Sequence, residues 1–599
     1  MNLLPPPIEG PYESLDNAIN SLNAHAAQQG YAIVKSRSRS YRGQPYNVSI
    51  ACDRGGRPRE DTRPERLRQS ASRATGCPFA GLFRRSEGLW RLELKNGSHN
   101  HPASDPIGHP VHRRLAAAAI DHIAGLSRAN VPPRAILSTL RLGDADLPEA
   151  LVPPIARDVY NARAAIRLGT LAGRTPIQAL MASLETSDDW SSSHLLDPSG
   201  RVIALFLAHR TSIELLQGAP ELLIMDCTYK TNRFRMPLFA IAGVTALGTT
   251  FHVALVFLGH EKLEDYKWAL ESLRALYEAN GLGSPETLVT DRDLALMGAI
   301  RLVFPSAKLV LCLWHVEKNV AARCKRFFRD GEAWNEFFRA WGALLQSATP
   351  EGYFEALGDF WTRFSGSPGA IDYLEKTWLP YREALAKAWT NRILRFGITT
   401  TSRVEGSHRA LKGYLQVSTG DLHAVVERMG LLVANQAVEA RAAKAQALTR
   451  LGADLRIALF VDLLGVASPV GLRQILQQRR KLTGDPLAVP EPCTGAFRAV
   501  MGLPCAHELV DRVRSGDSLQ PRDLHPYWLL NRSRGLAATI DPRLLVRDPP
   551  VAVPRGRPRG ALGGTRTTRR EPSLFEVVEG STGIPSPRAT PSDREASAF

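Results

Sequence analysis

The ten residues Leu222-Leu-Ile-Met-Asp-Cys-Thr-Tyr-Lys-Thr231 constrain this chain more than any other stretch. Four apolar residues run straight into Asp226, and the chain then turns polar at Thr228, Lys230 and Asn232. A short, unbroken apolar run of this kind suits a strand buried inside a sheet. Its end delivers a carboxylate to a place where metal ions or phosphates can be reached. Thr287-Leu-Val-Thr-Asp291 repeats the pattern, a β-rich run ending in an aspartate and followed by helical spacing from Leu294 to Val303. A third acid, Glu405, lies in a segment from Thr401 to Lys412 that reads as the first turns of a helix. Hard divalent cations take oxygen ligands, and a metal pair can hold both the attacking and the leaving oxygen of an in-line displacement. Two strand-end aspartates and a later helical glutamate are the side chains such a site requires.

Four motifs occur in order: Met225-Asp-Cys-Thr-Tyr-Lys-Thr-Asn232, Val289-Thr-Asp-Arg-Asp293, Cys312-Leu-Trp-His-Val-Glu-Lys-Asn319 and Ser402-Arg-Val-Glu-Gly-Ser-His408. Together they resemble a Mutator-like (MULE-type) DDE transposase over roughly residues 110 to 530. The resemblance implies a cut-and-paste DNA transposase in which Asp226, Asp291 and Glu405 are catalytic and hold two Mg²⁺ or Mn²⁺ ions. Its partners would be double-stranded DNA, as terminal inverted repeats and as target. It would work in the nucleus, as a homodimer or higher oligomer, since two ends must be joined. The alternative is a domesticated transposase that only binds DNA as a transcription regulator. A cellular nuclease without strand transfer is a third reading.

The core is expected to be an α/β RNase H-like fold, a mixed sheet with helices on its faces. Expected strands are Ile203–Ala208, Leu222–Cys227, Leu238–Val244, Phe251–Phe257, Thr287–Thr290 and Lys308–Leu311, with a helix at Leu263–Tyr277. Asp226 and Asp291 are 65 positions apart, room for two strands and a crossover helix, whereas Asp291 and Glu405 are 114 apart. The second interval is too long for a plain loop. It is rich in helix formers and aromatics, and the resemblance implies an all-helical insertion there. The expected domains are 1–110, a zinc-finger DNA-binding unit; 111–200, a helical linker or DNA-binding region; 201–311, the first part of the core; 312–400, the insertion; 401–480, the second part of the core; 481–547, a degenerate finger; and 548–599, a disordered basic tail.

A net charge of +16 favours a polyanionic partner. Seven cysteines in 599 residues do not make a disulfide scaffold, so a reducing compartment is the default. The N-terminus carries no basic and apolar leader pattern, which argues against secretion. The most apolar window, Leu238 to Gly259, is interrupted by Gly248-Thr-Thr250 and His252, and reads as two buried strands rather than a membrane span.

In the first unit, Cys52, Cys77, His99 and His101 are two thiols and two imidazoles, a set that closes a tetrahedral zinc site. Their order resembles WRKY/GCM-like and FLYWCH-like fingers, although two incidental cysteines beside a polar loop would give the same spacing. Residues 112 to 185 read as helices that are either a helix-turn-helix-like DNA contact or a scaffold. Cys312 and His315 form a two-ligand pair that alone does not close a zinc site; the resemblance implies a recurring motif near the catalytic centre that handles DNA or shapes the active site, with core packing as the alternative. Trp314 reads first as a core aromatic and second as a ring that stacks on an unpaired DNA base near a cleaved end. Asp293 reads as a helix-start carboxylate rather than a third metal ligand. His408, three residues after Glu405, lies on the same helical face, where support of the acid is one reading and an ordinary helix side chain the other. Cys493, Cys505 and His507 match three of the four ligands of a SWIM-type zinc finger, with Thr494 and Gly495 where a second cysteine would fall. In the tail, Pro554-Arg-Gly-Arg-Pro-Arg-Gly560 resembles an AT-hook whose Arg555, Arg557 and Arg559 would enter the minor groove of A·T tracts.

Overall fold

The computed structural model describes residues 3–7, 10–57, 72–142, 152–482 and 493–532. The tail motif with Arg555, Arg557 and Arg559 lies outside these residues. No helix among the described residues is long and apolar enough to cross a membrane.

The N-terminal unit is one helix on a four-stranded antiparallel meander. Helix α1 (Leu15–Gln29) starts where the Ser14 hydroxyl accepts from Asn17 N–H at 3.1 Å. It ends at Gly30, left-handed at φ 81°, where a Cβ would lie 2.8 Å from the Ser104 backbone. Strands β1 (Ile33–Tyr41), β2 (Gln44–Cys52), β3 (Ala80–Ser86) and β4 (Leu89–Asn96) pair in order. Ala18, Leu22 and Ala26 of α1 pack on Ile33, Ile50, Phe83 and Trp90.

Three short helices follow: α2 (Ala117–Arg128), α3 (Pro133–Leu142) and α4 (Ala156–Leu171). They meet at Ile123, Ile136 and Val159, each fully buried.

Helix α5 (Pro176–Thr186) then leads into a seven-stranded mixed sheet. Its elements are β5 (Trp190–Leu196), β6 (Val202–His209), α6 (Arg210–Gly218), β7 (Leu222–Thr228), β8 (Leu238–Val244), β9 (Thr250–Phe257), α7 (Leu263–Ala279), β10 (Thr287–Thr290), α8 (Leu294–Val303) and β11 (Lys308–Leu311). The order across the sheet is β11-β10-β7-β8-β9-β6-β5, with β7, β10 and β11 parallel and the remaining pairs antiparallel. Strand β5 and residues before 201 thus belong to the sheet, earlier than the expected start of the core. The apolar run of β7 is continuous because both faces are covered. Leu222 and Ile224 point into one cluster, Leu223 and Met225 into the other, by the two-residue period of a strand.

After β11 come α9 (Leu313–Cys324), α10 (Gly331–Leu345), α11 (Pro350–Arg363), α12 (Pro368–Thr377) and the single turns α13 (Arg382–Leu385) and α14 (Lys387–Thr390). They share an aromatic core of Trp334, Phe337, Trp341, Tyr353, Phe360 and Trp378. The chain returns to the sheet through α15 (Ser402–Leu415) and α16 (Leu422–Thr449), which cover one face with Val404, Leu411, Val425 and Met429. Helices α17 (Pro469–Arg480), α18 (Ala496–Met501) and α19 (Ala506–Ser515) close the same cluster.

Candidate active site

The register of the parallel strands sets the two aspartates side by side. Leu222 pairs with Thr287 and Ile224 with Val289, a constant offset of 65 residues. Two residues further on, the same offset places Asp226 beside Asp291, on neighbouring strands roughly 4.8 Å apart. Asp226 and Ile224 share a face, as do Asp291 and Val289, so both carboxylates emerge on the side covered by α15. The buried side of α15, Val404, Leu411 and Leu415, packs on this face and brings Glu405, in its first turn, over the strand ends.

Asp226, Asp291 and Glu405 line one cavity of about 420 Å³, together with Glu261, Asp293, Trp314, His315 and Lys318. Burial raises Asp226 to about 7, and the charges of Asp291 and Glu405 push in the same direction. Burial likewise raises Asp291, with Asp293 and Glu261 adding to it. One oxygen of Glu405, Oε1, is buried without a hydrogen-bond partner, although it lies 3.2 Å from His315 Nε2. Carboxylates that repel one another, with an orphaned oxygen among them, are what a divalent cation would neutralise. The residues therefore fit a Mg²⁺ or Mn²⁺ pair. Their oxygens do not all lie within 4.8 Å of one another. Two ions about 3.5–4 Å apart need a set wider than a single ion's shell.

Behind Glu405 runs a chain of polar contacts. Cys312 sits at the end of β11, its N–H donating to Thr290 O at 2.8 Å. Its buried sulfur accepts from the Thr401 N–H at 3.1 Å and from the Thr401 hydroxyl at 3.2 Å. The same hydroxyl is 3.2 Å from His315 Nδ1, and the other ring nitrogen faces Glu405. Burial alone would raise the Cys312 thiol, but hydrogen bonds from His315 and Thr401 hold it below its ordinary value. Contact with Cys312 raises His315, helped by the charges of Asp226 and Asp291. The Cys312–His315 pair is thus a brace between sheet, insertion and the Glu405 helix.

Other expected residues fall as follows. The Asp293 carboxylate accepts from Leu296 N–H at 2.8 Å, as a cap of α8. His408 Nδ1 is 3.6 Å from Asp226 Oδ2, beyond hydrogen-bond range, and burial lowers it to about 4. Trp314 is 39% exposed at the cavity wall, with Lys318 Nζ 4.6 Å over its ring. Sequence reasoning missed Glu261, which accepts from the Tyr229 hydroxyl at 2.7 Å, and Thr401. Glu261 had a signal: β9 runs parallel to β7, so a residue just past its end reaches the edge that carries Asp226.

At the N-terminal unit, Cys52 ends β2, Cys77 precedes β3, and His99 and His101 follow β4. Cys52 Sγ is 3.3 Å from His101 Nε2 and Cys77 Sγ 3.3 Å from His99 Nδ1, and all four ligand atoms lie within 4.8 Å of one another. Bonds of about 2.3 Å to sulfur and 2.0–2.1 Å to nitrogen give a tetrahedral edge of roughly 3.5 Å, so the group fits zinc. His101 Nδ1 is held 3.0 Å from Pro102 O, and burial keeps His99 neutral down to about 4, the form that ligates. The C-terminal group is smaller. Cys505 Sγ is 3.8 Å from Cys493 Sγ and 3.9 Å from His507 Nδ1, while Gly495, at φ 68°, offers no side chain to a fourth position.

Residues 222–319 match the MULE transposase domain, a span from the start of β7 through most of α9 that holds Asp226, Asp291, Cys312 and His315 and stops short of Glu405. The chain is similar to Protein FAR1-RELATED SEQUENCE 11 of Arabidopsis thaliana, 22% identical over 439 residues covering 70% of this chain and 62% of that protein. It is similar to Protein FAR1-RELATED SEQUENCE 5 of the same plant, 22% identical over 68% of this chain and 52% of that protein. A third similarity, 25% identical, covers 92% of this chain but 13% of the PKS-NRPS hybrid synthetase cheA of Chaetomium globosum. The chain spans less than two thirds of the length of each of these relatives.

Proposed function

We propose, on the premise that this chain carries a Mutator-like (MULE) transposase domain, that it is a cut-and-paste DNA transposase with an RNase H-like core. The observation that carries the reading is the convergence of Asp226, Asp291 and Glu405, from two strand ends and a distant helix, on one cavity. These three would hold two Mg²⁺ or Mn²⁺ ions, which when bound supply charge neutralisation at the attacking and leaving oxygens. The chain's own residues set the geometry. The strands hold Asp226 and Asp291 in register, and the Cys312–Thr401–His315 contacts orient Glu405. Lys318 and Trp314 line the wall where a DNA backbone would pass. Water attack on the phosphodiester at an element end breaks the P–O3′ bond and frees a 3′-hydroxyl. That hydroxyl then attacks a target phosphodiester in the same cavity, forming a new P–O3′ bond as the target strand's own 3′-oxygen leaves and takes up a proton.

The N-terminal zinc unit would read the terminal inverted repeat, and Arg555, Arg557 and Arg559 would add sequence-tolerant contacts sensitive to salt. Joining two ends calls for a homodimer or larger assembly, and chromosomal DNA places the work in the nucleus.

The test incubates the purified full chain with Mn²⁺ and labelled DNA carrying the inverted repeats that flank its gene, beside Asp226→Asn, Asp291→Asn and Glu405→Gln. Cleavage at the repeat boundary by wild type, lost in all three variants, is the expected result. Binding without cleavage would establish a DNA-binding regulator instead. Equal cleavage by all four proteins would show that the acids are wrongly assigned.

A further inference from the structure

We infer that α2 and α3 form a helix-turn-helix whose second helix, α3, grips duplex DNA a fixed distance from the cleavage site. The identity of the duplex rests on the transposase reading, but the geometry does not. Four residues, 129–132, join the two helices, a length typical of this motif. Asn130 takes the left-handed turn at φ 61°, a conformation asparagine tolerates well. Helix α4 closes the triangle through Ile123, Ile136 and Val159, so the inner face of α3 is spent on packing.

The outer face of α3 is basic. Arg134, Ser138 and Arg141 stand at i, i+4 and i+7, one stripe along the helix, and all three are exposed. Helix α3 has no acidic residue, and residues 113–174 contain nine arginines against five acids. Arg141 is steadied by its Nε–H, which donates to Pro154 O at 3.1 Å. A scaffold needs the buried face but not this stripe. A polyanion in a groove wide enough for a helix is complementary to it.

The unit is also bolted to the catalytic helix. Asn130 Nδ2 donates to Tyr414 O at 2.6 Å, and Gln416 Nε2 donates to Asn130 O at 2.5 Å. Arg167 of α4 pairs with Asp421. Tyr414 and Gln416 lie at the C-terminal end of α15, whose first turn carries Glu405. Eleven residues of helix span about 16 Å, and one further helix diameter, about 10 Å, reaches the outer face of α3. At about 3.4 Å per base pair, α3 would contact DNA roughly five to eight base pairs from the cut phosphate.

The experiment uses the full chain carrying Asp226→Asn, which is expected to bind without cutting. Its hydroxyl-radical footprint on an inverted-repeat duplex is compared with that of the same protein carrying Arg134→Ala and Arg141→Ala. Protection about five to eight base pairs from the element end should disappear while the zinc unit's footprint stays. Affinity should fall tenfold or more, and the salt slope should drop by about one for each phosphate no longer neutralised. Arg134→Lys with Arg141→Lys should restore most of the affinity, since neutralising a phosphate needs only the charge. An unchanged footprint and salt slope in the alanine protein, with binding intact, would overturn the helix-turn-helix and leave the transposase reading standing. A chain that binds no duplex at all would overturn both.

Discussion

Asp226→Asn should stabilise the metal-free protein while abolishing cleavage, and the effect should grow with pH. Asp226 is buried beside Asp291 and Glu405, and its pKa rises from 3.8 to about 7. The sign follows from linkage. A group whose folded pKa lies above its unfolded value binds more protons in the folded state, so its stabilising contribution is complete below about 3.8. That contribution is lost as pH rises towards about 7. At about 1.4 kcal/mol per pH unit, ionised Asp226 destabilises the apo fold by about 4 kcal/mol above pH 7. Some 2–3 kcal/mol of this develops between pH 5 and pH 7. Asparagine removes the charge, and its own cost of unmet hydrogen bonds, about 1–3 kcal/mol, does not vary with pH. The assay is urea denaturation followed by tryptophan fluorescence, in zinc-buffered solution without added Mg²⁺ or Mn²⁺, at pH 5 and pH 8. The variant should gain about 2–3 kcal/mol on wild type between the two pH values. Adding Mn²⁺ at pH 8 should shift wild type and leave the variant nearly unmoved. A variant that parallels wild type at both pH values would refute the raised pKa that burial, with the neighbouring charges, gives Asp226.

Thr401→Val keeps the shape of the side chain but removes its hydroxyl contacts to Cys312 and His315. Steady-state kinetics should show a 10–100-fold lower kcat with KM little changed, largely restored by Thr401→Ser, as for other residues that orient metal-binding groups. Cys77→Ser removes one of four clustered ligands, and residues 10–108 should lose zinc and become protease-sensitive, as read by metal content and limited proteolysis, while the 190–480 core stays resistant.

The strand ends that carry the aspartates were legible because burial on both faces writes an unbroken apolar run. The expected Leu222–Cys227 and Thr287–Thr290 sit within a residue of β7 and β10. Glu405 was legible through the helical spacing around it. Strand β5, Trp190-Ser-Ser-Ser-His-Leu-Leu196, was not, because an edge strand with one covered face needs few apolar residues. In the N-terminal unit Tyr31–Lys35, Tyr46–Ala51 and Leu89–Leu94 read as short β-rich runs, but strand β3 and helix α1 were missed for a related reason: Gly81 and two arginines dilute the first, and small alanines make up much of the buried face of the second. Thr401 and Asn130 act through partners 89 and 284 residues away, and no local pattern records such pairings.

The helical insertion leaves the sheet at Cys312 and returns at Thr401, and those two residues touch. Its exit and entrance are therefore one doorway, and the aromatic core between them is largely its own. Because closing a longer loop costs only about 0.6 kcal/mol per doubling of length, such a module can grow, shrink or be exchanged while the three acids keep their positions. Evolution can then refit the surface that this module presents as one would change the head of a tool, with the doorway between Cys312 and Thr401 as the fitting that every replacement must preserve.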